Sequence, residues 1–156
     1  MRVTQKSADA QKAYNYAIRL LTARDYGYEE LLDKLSRKYE DEAAYAAVDR
    51  CRELGFQSDE RAAEMLCRHT TLRLAGPRYA YLEAQKRNLD CSLLDPFLEE
   101  IDFLDLAVQF LERKYASKVD WSPAGRQKML AALYRRGFES GTCIKALRQF
   151  SDNDPE

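Results

Sequence analysis

Residues that interrupt regular structure are scarce in this chain: six glycines and four prolines are scattered over 156 positions. Their scarcity leaves room for long regular elements, and most stand where a helix would begin or end. Cysteine is equally thin. Cys51, Cys67, Cys91 and Cys143 are far apart and none forms a C-x-x-C pair, which speaks against a structural zinc site and against a disulfide framework. Buried thiols acting as small core hydrophobes are the expectation. His69 is the single histidine, with no cysteine or carboxylate pair set around it at ligand spacing. There is no phosphate-binding loop, nucleophile elbow or metal signature. A catalytic site would have to be assembled from scattered residues, so the chain is read as a non-enzyme without cofactor or metal. Long apolar runs are missing too. With 46% hydrophobic and 33% charged residues, the sequence can fill a core but is too charged for a membrane span. Met1 to Ala13 mixes Arg2, Lys6, Asp9 and Lys12 with small residues and lacks the apolar stretch of a signal peptide, so a cytoplasmic protein is expected.

What is present is charge, and it is segregated. The formal net charge is -1, yet Arg113 to Phe150 holds nine Lys or Arg against two acids, while Asp90 to Asp105 holds six acids and no base. Such asymmetry creates a local field that the net value hides.

Apolar residues recur at helical spacing almost throughout, as in Ala13, Ala17, Leu20 and Leu21, and no stretch alternates as a strand. Gly55 reads as a left-handed helix end, Ser58 as a capping hydroxyl, Pro77 and Pro123 as first-turn residues, and Gly137 as a terminator. These stops predict nine helices near 8–25, 28–38, 41–54, 59–74, 77–88, 95–101, 103–116, 124–136 and 140–150. They fall into threes. The basic residues Arg37 and Lys38, Lys86 and Arg87, and Arg135 and Arg136 each close the middle helix of a trio, and an acid opens the next helix in each case. Cations at helix ends and carboxylates at helix starts complement the helix dipole; their recurrence at a period of about fifty residues marks stacked units. The expectation is an all-α fold of three tandem three-helix modules, 8–56, 57–101 and 102–150, in an elongated, curved array. Residues 151–156 are expected to form a disordered tail.

The run Arg19 to Tyr26, then Glu29 to Leu35, resembles the opening module of the RecX family. Arg52-Glu53-Leu54-Gly55-Phe56, Asp59 to Glu64, Gly76-Pro77-Arg78 and Arg135-Arg136-Gly137-Phe138 continue the match in order and spacing. Together they cover residues 10 to 150. There are departures: Lys38 runs into Tyr39 without the glycine common there, and Pro96 falls where the family's helix continues, so a restart at Asp95 is expected. The resemblance implies a regulator, usually an inhibitor, of the RecA recombinase that lies along the groove of the RecA filament on DNA and opposes ATP hydrolysis and strand exchange. A monomer without membrane contact is expected, and cations spread over two modules with a net charge near zero fit weak, non-specific contact to single- or double-stranded DNA better than sequence reading. Arg73, Arg78, Lys86, Arg87, Arg126, Lys128, Arg135 and Arg136 are the candidates for contacts with RecA or DNA. Two other readings stay open: a helical DNA-binding protein, and a helical scaffold for another protein partner. The tyrosines, crowded in the first module, are assigned to packing more than to base stacking.

Overall fold

The computed structural model describes residues 5–154. Among them the chain forms nine α-helices: α1 (Ala10–Ala23), α2 (Tyr28–Ser36), α3 (Asp41–Glu53), α4 (Asp59–Leu72), α5 (Pro77–Lys86), α6 (Asp95–Leu98), α7 (Phe103–Tyr115), α8 (Pro123–Arg135) and α9 (Ser140–Asp152). A 3-10 turn, Cys91–Leu94, precedes α6, which restarts at Asp95 with Pro96 in its first turn. Proline is tolerated there because first-turn N–H groups have no partner within the helix. The expected helices all appear, each within a few residues of its predicted bounds, with α6 the shortest. No strand forms among the described residues; a single bridge joins Ser7 to Tyr39.

Two compact units result. Of the described residues, the first comprises those up to Met65 together with Ala84–Leu93, and the second Leu66–Glu83 together with those from Leu94 onward. In the first, α1 packs chiefly on α3, with α2 completing the trio. Its core is made of small residues, Ala13, Ala17, Ala43, Ala44 and Ala47, interleaved with Leu31, Leu35 and Val48. Alanine at the contact lets helices approach closely, and the leucines of α2 fill the remaining volume. In the second, α7 packs chiefly on α9, with α8 alongside. Leu111, Met129, Leu133 and Phe138 are fully enclosed there.

Helix ends carry the local chemistry that the sequence announces. Asp9 caps α1, accepting from the Gln11 and Lys12 amides at 3.0 and 3.1 Å. Ser58 accepts from the Arg61 amide, and Ser122 from the Gly125 amide, as short oxygen-bearing side chains do at helix starts. Four helices close in one way. After α3, α4, α5 and α8 a residue takes positive φ: Gly55, Leu74, Asn88 and Gly137. The next amide then reaches back to a carbonyl five residues earlier, as in Leu89 to Ala84 and Phe138 to Leu133, satisfying carbonyls that the helix leaves open. Asn88 thus occupies the slot that Gly137 fills forty-nine residues on, since asparagine is among the few side chains that tolerate this backbone. The first copy, Arg37-Lys38-Tyr39, lacks the extra residue; Tyr39 closes on Leu35, only four positions back.

The segment after Phe150 departs from expectation. It continues α9 to Asp152 instead of leaving the fold at Ser151. The Trp121 indole N–H donates to Asp154 at 2.7 Å while its ring lies 5.5 Å from that of Phe150. A half-buried indole usually finds such an acceptor, and here it ties down the end of the helix. Pro155 and Glu156 lie outside the described residues. Three of the four thiols are buried and Cys91 is half-buried. Burial pushes the Cys51 and Cys143 thiols up from their ordinary pKa, so they behave as hydrophobes.

Candidate functional site

The motifs separated by long stretches of sequence meet in space. In the second unit the start of α5 is clamped to the end of α8: the Gly76 amide donates to the Arg136 carbonyl at 3.0 Å, and the Arg78 amide to the Gly137 carbonyl at 3.2 Å. The two glycines touch through their backbones. A Cβ on Gly76 would lie 2.2 Å from the Gly137 carbonyl carbon, and one on Gly137 would lie 2.7 Å from the Tyr79 nitrogen. Three predicted contact residues serve this joint. Arg136 donates to the Arg73 carbonyl and, at 3.4 Å, to that of Leu74. Arg78 donates to the Tyr134 carbonyl and lies 4.0 Å over its ring. The Arg73 guanidinium donates to the Tyr79 hydroxyl at 2.7 Å. Charge-assisted bonds to helix-end carbonyls are among the stronger polar contacts, so the joint is held by the same arginines that sequence reasoning assigned outward.

A second junction, within the first unit, lies at the start of α2 and is made by side chains. The Tyr28 amide donates to Asp59 at 2.7 Å, and Gln57, itself buried, donates to the Tyr26 carbonyl and to Asp59. Arg24 forms a two-pronged ion pair with Glu30 and stacks 3.7 Å over the Tyr26 ring. Arg87 lies 3.9 Å from the same carboxylate. Lys86 and Arg87 line a polar recess with Glu30, Asp33, Lys34 and Arg37.

Close by, the Tyr28 hydroxyl donates to Asp49 at 2.7 Å, and Arg52 pairs with that carboxylate. Burial and then the bond to Asp49 push the phenol up to about 12. A folded-state pKa above the unfolded one, near 10, means that this contribution to stability is complete below pH 10 and is lost as pH rises toward 12. Urea midpoints of the parent chain and of Tyr28→Phe should therefore converge between pH 9 and pH 11.5. A gap that stays constant would contradict the assignment.

The remaining candidates lie on α8. Arg126 donates through Nε to the Trp121 carbonyl at 2.9 Å and covers that ring. Lys128 and Arg135 are exposed and form no ion pair among the described residues. The tyrosines of α1 face the chain's own cations: Arg50 lies over Tyr14, and Lys38 and Arg19 over Tyr16. These rings have packing and cation–π roles. Sequence reasoning did not single out Tyr134 and Ile144, which are 51% and 54% exposed and border an open groove between α8 and α9. The available signal was Ile144, which lies off the buried stripe of Cys143, Ala146, Leu147 and Phe150.

Among the described residues no group of three His, Cys, Asp or Glu is placed to hold a metal ion, and no helix is long and apolar enough to cross a membrane. The fold and these surfaces define a class: an all-helical protein of three-helix domains whose distinctive chemistry is exposed on helix faces and built into backbone joints. The family model for the RecX first three-helix domain matches residues 13–51, and that for the RecX third three-helix domain matches residues 100–147. The chain is 31% identical over 141 residues to a regulatory protein RecX of Legionella pneumophila (strain Corby), covering 88% of this chain and 94% of that protein. It is 34% identical over 129 residues to one of Actinobacillus pleuropneumoniae serotype 5b (strain L20), covering 81% and 84%. The crystal structure of RecX from Lactobacillus salivarius shares the fold, with a TM-score of 0.75 at 19% identity over 91% of this chain and 96% of that one. The chain belongs to the RecX family.

Proposed function

We propose that this protein regulates the RecA recombinase, acting as an inhibitor that binds along the groove of the RecA filament on DNA and opposes ATP hydrolysis and strand exchange. The observation that carries the reading is the match to RecX regulatory proteins over most of both lengths. The charge distribution supports it, since the cationic segment Arg113 to Phe150, with nine Lys or Arg against two acids, draws an acidic filament or a phosphate backbone and raises the rate of encounter. In this reading the chain works in the cytoplasm as a monomer and without catalysis, through modules 8–56, 57–101 and 102–150, each supplying modest contacts that add through effective concentration. Contact with DNA alone is weak and non-specific, carried by phosphate attraction.

The residues divide by what they already bond. Arg78, Arg73 and Arg136 hold the joint between α5 and α8; Lys128, Arg135 and, beyond its stacking on Trp121, Arg126 are the outward set. Replacing Arg126, Lys128 and Arg135 together by Gln should weaken binding to RecA filaments on single-stranded DNA at least about tenfold, because several exposed charges act as one field, while helicity measured by circular dichroism stays the same. Binding equal to the parent chain would remove this patch from the mechanism.

A further inference from the structure

We propose that the groove between α8 and α9 is a docking site for an amphipathic helix of the partner protein, apolar along one stripe and acidic along its edges. The groove has a volume of about 360 Å³ and is lined by Gln127, Leu130, Ala131, Tyr134, Cys143 and Ile144 among others. Its floor is apolar, yet two of its walls, Tyr134 and Ile144, are half open to solvent. Large apolar side chains exposed together around a concavity mark an interaction surface.

The rim decides what fits. Lys128 and Arg135 stand one turn before and after Ala131 on α8, and Arg148 stands one turn beyond Ile144 on α9, next to Lys145 in helical register. All four are exposed and none forms an ion pair among the described residues. From Trp121 to Ser151 the chain carries six Lys or Arg against one acid, Glu139. A second copy of this chain is a poor occupant, because a twofold interface would set this cationic rim against itself. A phosphate backbone is also a poor match, since it requires cations at the contact itself, whereas here the lining is mostly Leu130, Ala131, Tyr134, Cys143 and Ile144, with only the uncharged Gln127 and Ser140 beside them and the charges outside it. A helix laid into an apolar groove, with carboxylates meeting the rim, satisfies both features at once.

The inference rests on the reading of the chain as a RecA-filament regulator and assigns the face by which it binds. The test measures binding of the full chain to RecA filaments on single-stranded DNA, and to the same DNA alone, for four proteins: the parent, Ile144→Asp, the double variant Lys145→Glu with Arg148→Glu, and Lys118→Glu as a cation control outside the groove. Ile144 is exposed, so its replacement leaves the core intact; circular dichroism and thermal melting verify this, and the double variant gives an independent arm that touches no apolar residue. Both groove variants should lose at least about tenfold in filament affinity, as expected for the centre of an interface, with Lys118→Glu within about twofold of the parent. Ile144→Asp should leave binding to DNA alone unchanged, and an amphipathic peptide of about 18 residues with leucine and glutamate faces should compete with the filament. Groove variants that bind the filament like the parent overturn the docking site and leave the regulator reading standing. Equal loss by Ile144→Asp on DNA alone makes the face a nucleic-acid contact and overturns it too. A parent chain that ignores the filament overturns both.

Discussion

Replacing Gly76 with alanine is expected to destabilise the protein by roughly 3 kcal/mol, near the upper end of what overpacking costs. The added methyl would sit 2.2 Å from the Gly137 carbonyl carbon and oxygen and 2.3 Å from the Phe138 nitrogen. Those atoms are backbone, so no rotamer change relieves the clash. The α5 start must move, and the bonds from the Gly76 and Arg78 amides to the Arg136 and Gly137 carbonyls are lost with it, each worth about 1 kcal/mol net. Gly141 offers a matched control. A Cβ there meets nothing within 4 Å and it lies inside α9, so Gly141→Ala should stabilise by up to about 1 kcal/mol through helix propensity. Urea denaturation of the two variants should move the midpoint in opposite directions.

Phe138→Ala should cost about 3–5 kcal/mol, the range for removing an enclosed aromatic ring. Phe138 has 0% exposure and is among the largest fully buried side chains. It follows Gly137 directly, so the turn that closes α8 also aims this ring into the core shared by α7, α8 and α9. Tyr134, four residues earlier, is half exposed; its truncation should cost far less, and thermal melts of the two variants separate the effects.

These joints explain how far the sequence could be read. Helix existence and bounds were legible because glycine, proline and capping residues act locally: Gly55, Ser58, Pro77, Pro123 and Gly137 each do in the fold what their chemistry predicts. The repeat was legible for the same reason, since basic residues followed by an acid mark a helix end and the next start. Positive φ at Leu74 and Asn88 was not, because neither residue type demands it; tertiary packing and, at Asn88, equivalence with Gly137 reveal it only afterwards. The pairing of Gly76 with Gly137 joins loops some sixty residues apart and leaves no periodic trace. Arginine is equally ambiguous in sequence. Arg78 and Arg136 look like solvent-facing cations, yet in the fold the carbonyls of Tyr134 and Arg73 accept from them. The end of α9 is not legible in the sequence, because acidic composition reads as a solvated tail while nothing local announces that the Trp121 indole donates to Asp154.

The direct test of the account is a titration of this protein into RecA assembled on single-stranded DNA, following DNA-dependent ATP hydrolysis. A filament regulator should slow hydrolysis well below one copy per RecA, and Gly141→Ala should match the parent because it touches neither joint nor groove. Hydrolysis that continues unchanged at equimolar protein would contradict the proposed function.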